Sequence, residues 1–315
     1  MKKEILEILN EKDYISGEKI ASRLNVSRTA VWKQINNLKK MGYKINSVKN
    51  KGYKIQSRPD KPLELEIKKD LNVKVIGKKI EYFKTLSSTN NYIKKNIDKN
   101  FIEGTIVVSD IQTKGRGRKN RFWSSKKGGL WFSVILYPNL PPNKGIFITM
   151  SASISIYQSI KEIAGINSTI KWPNDILIDK KKVCGILTEF DAEADRINYA
   201  IVGIGINVNN KVDSNLEDIA TSLKEESRNK ISKVELLKTI IKNFDKNYLR
   251  IKEGKYDGIR KDWLSLSKII DKKIQVTQNK EVITGIVKDV DENGFLILDS
   301  ERGEKRILSG DILYL

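Results

Sequence analysis

Histidine is absent from the 315-residue chain. Without imidazole there is no Ser-His-Asp or Cys-His nucleophile and no His-ligated metal site, so catalysis must run on Lys, Arg, Asp, Asn and backbone groups. Cysteine is nearly absent: Cys184 stands alone and cannot close an internal disulfide, which suits a reducing compartment. No apolar run approaches the roughly 18 residues of a membrane-spanning helix. The opening Met1-Lys2-Lys3-Glu4-Ile5 turns at once into an amphipathic pattern, with neither the apolar stretch nor the cleavage site of a signal peptide. A cytoplasmic protein with no membrane partner is the expectation. No Walker A pattern occurs. Gly203-Ile-Gly205-Ile-Asn207-Val208 lacks the third glycine of a dinucleotide fingerprint and does not open a helix, which excludes a Rossmann site.

Acid is the scarcer charge, 39 Asp and Glu against 59 Lys and Arg, a formal net charge of +20. Such a field draws polyanions, although lysines spread along a whole chain also describe ordinary solvated surface, so position must decide. The length fits two or three domains.

Residues 3 to 10 place Ile5, Leu6, Ile8 and Leu9 on one side of a helix, which polar residues interrupt from Asn10 to Tyr14. A second helix runs from Ser16 or Gly17 to Leu24, burying Ile20, Ala21 and Leu24. Asn25-Val26 then turns into Ser27, an N-cap for a third helix. There Ala30, Val31, Ile35, Leu38 and Met41 share the buried face, leaving Arg28, Thr29, Lys33, Asn36 and Asn37 outward as a recognition-helix surface. Tyr43–Ile45 and Gly52–Ile55 read as strands around a basic turn of Lys49, Asn50 and Lys51. This is a winged helix-turn-helix over 1–60, with Ser27, Arg28, Thr29, Lys33, Asn36, Lys49 and Lys51 expected on DNA. A protein-interaction module is the alternative; the tight helix-turn-helix spacing together with a basic wing favours DNA. Ser57-Arg-Pro59-Asp-Lys-Pro62 reads as a linker.

From 63 to 265, strand-like runs alternate with helical ones. Val73–Ile76, Thr105–Val108, Gly129–Leu136, Val183–Leu187 and Tyr199–Gly203 read as strands, and 89–97, 145–164 and 232–252 as helices, giving an α/β or α+β domain with one mixed sheet. Directly after the second strand, Gln112-Thr-Lys-Gly115-Arg116-Gly117-Arg118-Lys-Asn-Arg121-Phe-Trp123 combines glycines that let backbone approach a ligand with arginines that offer forked donors, a loop built to clamp an anion. A single copy set between strands argues against an RNA-binding Gly/Arg tail. Lys171-Trp172-Pro173-Asn174-Asp175 sets an Asn-Asp pair beside a lysine, which suits nucleotide and Mg²⁺ contacts. Residues 268–315 read as a small SH3-like barrel with an Asn293-Gly294 hairpin.

Ser88-Thr89-Asn90, the Gln112–Trp123 loop, Lys171–Asp175, Lys182 with Gly185, and Gly203–Val208, in that order, resemble the biotin protein ligases. The whole architecture resembles the bifunctional ligase and biotin operon repressors among them. The resemblance implies an α+β multidomain protein: a winged helix-turn-helix, a central mixed-sheet ligase domain and an SH3-like C-terminal domain. It implies that Ser88, Thr89, Asn90, Gln112, Gly115, Arg116, Arg118, Lys182 and Gly185 hold biotin. Arg118, Arg121, Trp123, Asn174, Asp175, Lys182 and Asn207 would surround ATP and the adenylate, with Lys182, Arg118, Arg116 and Asp175 catalytic and Mg²⁺ arriving with ATP near Asp175. Asn120 stands where the pattern Gly-Arg-Gly-Arg-x-Gly-Arg has glycine, and asparagine tolerates a left-handed backbone. Also implied are biotinyl-5′-AMP formation, transfer to a lysine of a biotin carboxyl carrier protein domain, operator DNA binding and an adenylate-bound homodimer. A lipoate-type ligase and an adenylate-sensing repressor without ligase activity are the alternatives.

Overall fold

The computed structural model describes residues 1–10, 13–99, 101–278 and 281–315. The chain divides into two compact units, Met1–Lys61 and Pro62–Leu315.

In the first unit α1 (Lys2–Leu9), α2 (Gly17–Leu24) and α3 (Arg28–Met41) precede an antiparallel hairpin of β1 (Lys44–Val48) and β2 (Gly52–Ser57). Serine caps start the second and third helices: Ser16 Oγ accepts from Lys19 N–H and Ser27 Oγ from Ala30 N–H, each at 3.1 Å, satisfying an otherwise orphaned donor. The core is Ile5, Leu6, Leu9, Ile20, Ala21, Val31, Ile35 and Leu38 of the helices, with Ile15, Tyr43 and Ile45 closing it. Ile8, Leu24, Ala30 and Met41, expected inside, are only half-buried. Of the expected interruption Asn10–Tyr14, residues 11 and 12 lie outside the described residues.

The second unit begins with α4 (Glu64–Ile67), β3 (Ile80–Phe83), α5 (Thr89–Lys95), β4 (Ile106–Ser109), β5 (Leu130–Leu136) and α6 (Ile146–Ala164). β6 (Thr169–Lys171), β7 (Asp175–Ile178), β8 (Lys181–Ala192), β9 (Ile197–Ile206), α7 (Leu223–Ser227), α8 (Lys233–Lys252) and α9 (Tyr256–Ser267) follow. Seven strands form a sheet in the order β3-β4-β5-β9-β8-β7-β6, parallel between β3 and β4 and antiparallel elsewhere. Its strands alternate inward residues between two cores, as a period of two requires. Ile106, Val134 and Val202 join the larger core with α6, α8 and α9, whereas Val107, Ile135 and Ile201 join Ile93 of α5 and Phe101. Ser155 and Ser159 of α6 accept from Asn247 and Asn243 of α8 at 2.9 and 3.0 Å, so the polar atoms at this helix contact are satisfied.

The expected strand Val73–Ile76 is instead a loop. Asp245 of α8 takes its backbone donors: the N–H groups of Lys74, Val75 and Ile76 all donate to that buried carboxylate at 2.8 Å. With its donors spent there the segment cannot join a ladder, and β3, unforeseen, forms the sheet edge. α9 also goes beyond expectation.

Within the same unit β10 (Lys273–Gln278), β11 (Glu281–Val290), β12 (Leu296–Ser300), β13 (Gly303–Ile307) and β14 (Asp311–Tyr314) build an antiparallel five-stranded sheet in the order β13-β12-β11-β10-β14. β14 was not expected from sequence, and it bears on the site.

Candidate active site and nucleic-acid surface

One face of the seven-stranded sheet carries a cavity of about 370 Å³ between α5, the Gly/Arg loop and strands β7 to β9. Ser88, Thr89, Asn90, Gln112, Arg116, Arg118, Arg121, Trp123, Asn174, Asp175, Lys182, Gly185 and Asn207 all line it. Gly115 does not: it sits behind the wall, where an added Cβ would come within 2.4 Å of the Trp123 carbonyl oxygen and 2.6 Å of Ser125 Oγ.

One end of the cavity is a closed hydrogen-bond network. Ser88 caps α5. Gln112 Oε1 accepts from Thr89 N–H at 2.8 Å and from its hydroxyl at 3.1 Å, while Gln112 Nε2 donates to Ser125 Oγ at 2.9 Å. Asn90 is committed to the scaffold: its amide nitrogen donates to the Leu187 carbonyl at 3.3 Å and to Glu189 at 2.8 Å, and its oxygen accepts from Ser133 at 2.5 Å. Gly203 makes that approach possible, since a Cβ there would lie 2.3 Å from Asn90 Oδ1. Glu189 also takes the Arg116 guanidinium at 3.1 and 3.2 Å, so this arginine, expected to face an anionic ligand, meets a carboxylate of its own chain. Glu189 had a sequence signal: Gly185, Leu187 and Glu189 alternate onto one face of β8.

The other end is cationic. Lys182 Nζ lies 2.8 Å from Asp175 Oδ1 and 5.1 Å from the centroid of the Trp123 ring. The ring rests where Gly185 and Gly205 face each other across β8 and β9; a Cβ on Gly205 would stand 2.5 Å from the indole nitrogen. That buried N–H has no acceptor among the described residues. Arg118 donates to Asn174 Oδ1 at 3.1 Å and to the Gly310 carbonyl at 3.3 Å, and Asn174 Nδ2 donates to Ile186 O at 2.7 Å. Burial pulls the Arg118 pKa below its ordinary value, against the pull of Asp311 and Asp175. Asp311, at the start of β14, accepts from Lys119 at 3.1 Å and Arg121 at 2.5 Å. Burial works to raise its pKa, but those two cations outweigh it and hold the carboxyl below its usual range. Nothing local in the sequence pointed to Asp311, which lies 190 residues beyond Arg121. Asn120 takes φ 58° and Lys119 φ 54°, so the turn uses left-handed backbone where asparagine replaces the expected glycine. Asn207 donates its backbone N–H to Val183 O at 2.9 Å and accepts from Asn210 at 3.1 Å. Phe122 and Ile219 are exposed lining residues. Cys184 is fully buried, which pushes its thiol pKa up and keeps it protonated.

Among the described residues no three His, Cys, Asp or Glu side chains gather to hold a metal, and no helix is long and apolar enough to cross a membrane.

In the first unit Arg28, Thr29 and Lys33 of α3 are exposed, as are Lys49 and Lys51 in the hairpin turn. Asn36 and Asn37, expected outward, are half-buried. Ser27 spends its side-chain oxygen on the helix cap.

Three family descriptions match this chain: "HTH domain" at residues 2–54, "Biotin/lipoate A/B protein ligase family" at 82–207, and "Biotin protein ligase C terminal domain" at 269–314. A Bacillus subtilis protein named bifunctional ligase/repressor BirA is 40% identical over 99% of this chain and 98% of its own length. The Escherichia coli protein of that name is 23% identical over 98% and 95%. A biotin protein ligase from Aquifex aeolicus, solved in complex with biotin and ATP, superposes with a TM-score of 0.66 at 31% identity, covering 76% of this chain and 99% of that one.

Proposed function

The chain belongs to the biotin protein ligases, in their bifunctional ligase/repressor form, and from that premise we propose how its residues divide the work. Residues 1–60 read operator DNA, 63–265 form biotinyl-5′-AMP and transfer biotin, and 268–315 brace the catalytic loop through Asp311. The observation that carries the ligase reading is the two-ended cavity: a hydrogen-bonding end at Thr89 and Gln112, and a cationic end at Lys182, Arg118 and Arg121.

Biotin enters with its ring toward Ser88, Thr89, Gln112 and Gly185. ATP lies toward Arg118, Arg121, Asn174, Asp175 and Asn207, its adenine packing near Trp123. In the first step a biotin carboxylate oxygen bonds to the α-phosphorus and pyrophosphate leaves. The carboxylate is already ionised at neutral pH, so no histidine is needed; the protein aligns it and offsets crowded negative charge with Lys182 and Arg118. In the second step the acceptor lysine nitrogen bonds to the anhydride carbonyl carbon, AMP leaves, and the amine proton passes outward, with Asp175 placed to orient the amine. Magnesium would arrive with ATP, Asp175 being the carboxylate placed to help hold it, and the ion would offset phosphate charge. Arg116, bridged to Glu189, frames the biotin end. Gly115 shapes the loop from behind and Asn90 holds its scaffold, neither touching ligand through a side chain.

In its repressor role the protein pairs two winged helices on a palindromic operator near biotin genes when biotinyl-AMP is bound, because one helix-turn-helix gains useful affinity from a second half-site. Its acceptor is a biotin carboxyl carrier protein domain in the cytoplasm. Mass detection of biotinyl-AMP and biotinylated acceptor, with lipoate as a parallel substrate, tests the ligase reading. Both products with biotin are expected; products with lipoate alone would make it a lipoate ligase, and adenylate without transfer a sensor.

A further inference from the structure

The recognition helix carries a large apolar side chain that the fold leaves uncovered. Trp32 is 59% exposed, although its neighbour Val31 and the next-turn Ile35 are wholly buried or nearly so. At about 100° per residue, Trp32 stands roughly a quarter turn from the buried stripe of Val31, Ile35 and Leu38. Lys39, seven residues on and only about 20° round the helix from Trp32, donates to Ser47 Oγ of β1 at 3.0 Å. That contact identifies the flank carrying Trp32 as the one turned toward the wing. Arg28 and Asn36 lie one turn before and after it on neighbouring positions.

The charge around this indole has one sign. Between Ser27 and Ser57 the sequence holds eight Lys and Arg and no Asp or Glu. Among the described residues neither Arg28 nor Lys33 enters an ion pair. A partner for this flank must therefore be strongly anionic and yet present apolar surface at the depth of a helix side chain. Duplex DNA does both: phosphates line the groove, and each thymine projects a C5-methyl group into the major groove.

We infer that Trp32 reads sequence, its indole packing on the C5-methyl of a thymine in the major groove while Arg28 and Lys33 engage phosphates. This rests on the DNA-binding reading above and adds to it a discriminating residue. An indole left in water in the free protein gains by losing that hydration on docking, and it carries no charge, so its contribution favours particular bases without adding to salt-dependent attraction.

The test uses the full-length protein with biotin and Mg-ATP. Wild type selects duplexes from a random library. Wild type, Trp32→Ala and Trp32→Phe are then titrated against the selected duplex, an unrelated duplex of equal length, and the selected duplex with each thymine replaced in turn by deoxyuridine, which removes only the methyl. Trp32→Ala is expected to bind the selected duplex about 10- to 100-fold more weakly, with unrelated-duplex binding and the salt slope unchanged. Trp32→Phe should hold most of the affinity. At least one deoxyuridine should weaken wild type and leave Trp32→Ala unaffected, the coupling expected of a direct contact. Ligation rates should be those of wild type in both variants, and a wild-type affinity for the unrelated duplex, together with the affinity kept by Trp32→Phe, shows that the first unit still folds. Equal affinity of Trp32→Ala and wild type overturns the inference, as does an equal loss on every duplex, or a change confined to dimerisation in sedimentation. A wild-type protein that selects no duplex overturns the repressor reading itself, and this inference with it.

Discussion

Between Ser27 and Ser57 the DNA-reading unit sets eight cations against no acid, whereas in the ligase cavity most cations already have an anionic partner. Lys182 has Asp175, Arg116 has Glu189, and Lys119 and Arg121 share Asp311; Arg118 has the neutral oxygens of Asn174 and Gly310. Even at the foot of the Gly/Arg loop, buried Lys233 lies 3.3 Å from Asp110. The two surfaces serve different tasks with the same residue types. An unpaired array acts at long range, releases counterions from a polyanion and tolerates loose geometry. A paired array spends its long-range field on its own chain and gains position, each cation being held in one geometry by its own anion.

Breaking a pair at the reaction centre should have the largest effect. Lys182→Ala is expected to slow adenylate formation in single turnover by about 10²- to 10³-fold while leaving the fold intact, with Asp175 losing its cation. An undiminished adenylation rate would remove Lys182 from the chemistry. Next, Glu189→Ala should weaken biotin binding about tenfold by calorimetric titration, since it strips the acceptor from both Arg116 and Asn90 at once. Unchanged affinity would show that the pair is incidental to the biotin end. On the unpaired surface, Lys49→Ala and Lys51→Ala should each lower the slope of log affinity against log salt by roughly 0.9, a few-fold at fixed salt, with adenylation untouched; a full loss of binding from either would mean that the wing depends on geometry after all.

The smallest effect concerns pH. Burial raises the Asp311 carboxyl pKa, but the pairs with Lys119 and Arg121 lower it by more, leaving its folded pKa below the ordinary 3.8. The ionised pair therefore stabilises the fold above that ordinary value and is lost as pH falls through the lower folded one. The side chain is more than a third exposed, so solvent screening limits the contribution to under about 1 kcal/mol. Asp311→Asn should flatten that part of the stability curve in urea unfolding between pH 5 and the acid limit; an unaltered curve would mean that the C-terminal sheet braces the loop by packing alone.

The helices and hairpin of the first unit were legible because their signals are local. Ser27 caps three residues ahead, the Val31–Ile35–Leu38 stripe repeats within one helix, and Lys49 to Lys51 turn between adjacent strands. The cavity was largely legible for a related reason: its motifs are short runs at the ends of strands, and thirteen of the fourteen candidate pocket residues line it. Asn120 even keeps the left-handed backbone that its substitution for glycine demands. Gly115 sits behind the cavity wall for loop packing, and in sequence a glycine required by packing looks the same as one required by a ligand. Val73–Ile76 has the residues of a strand, and only Asp245, about 170 positions away, withdraws its donors. Asn36 and Asn37 sit nearer the core than polarity suggests.

By itself the sequence determined the order of domains, the periodicity of most helices and strands, and the chemistry available: no imidazole, a single thiol, and lysines and arginines gathered in the Gly/Arg loop and the hairpin turn. These depend on residue type and on spacings of a few residues, which the backbone translates directly into faces and turns. Tertiary structure alone decided which cation meets which acid, that Glu189 and Asp311 complete the site, and that Trp32 is left bare. Such facts belong to pairs of residues distant in the chain, and no local spacing records the loop closures that bring them together.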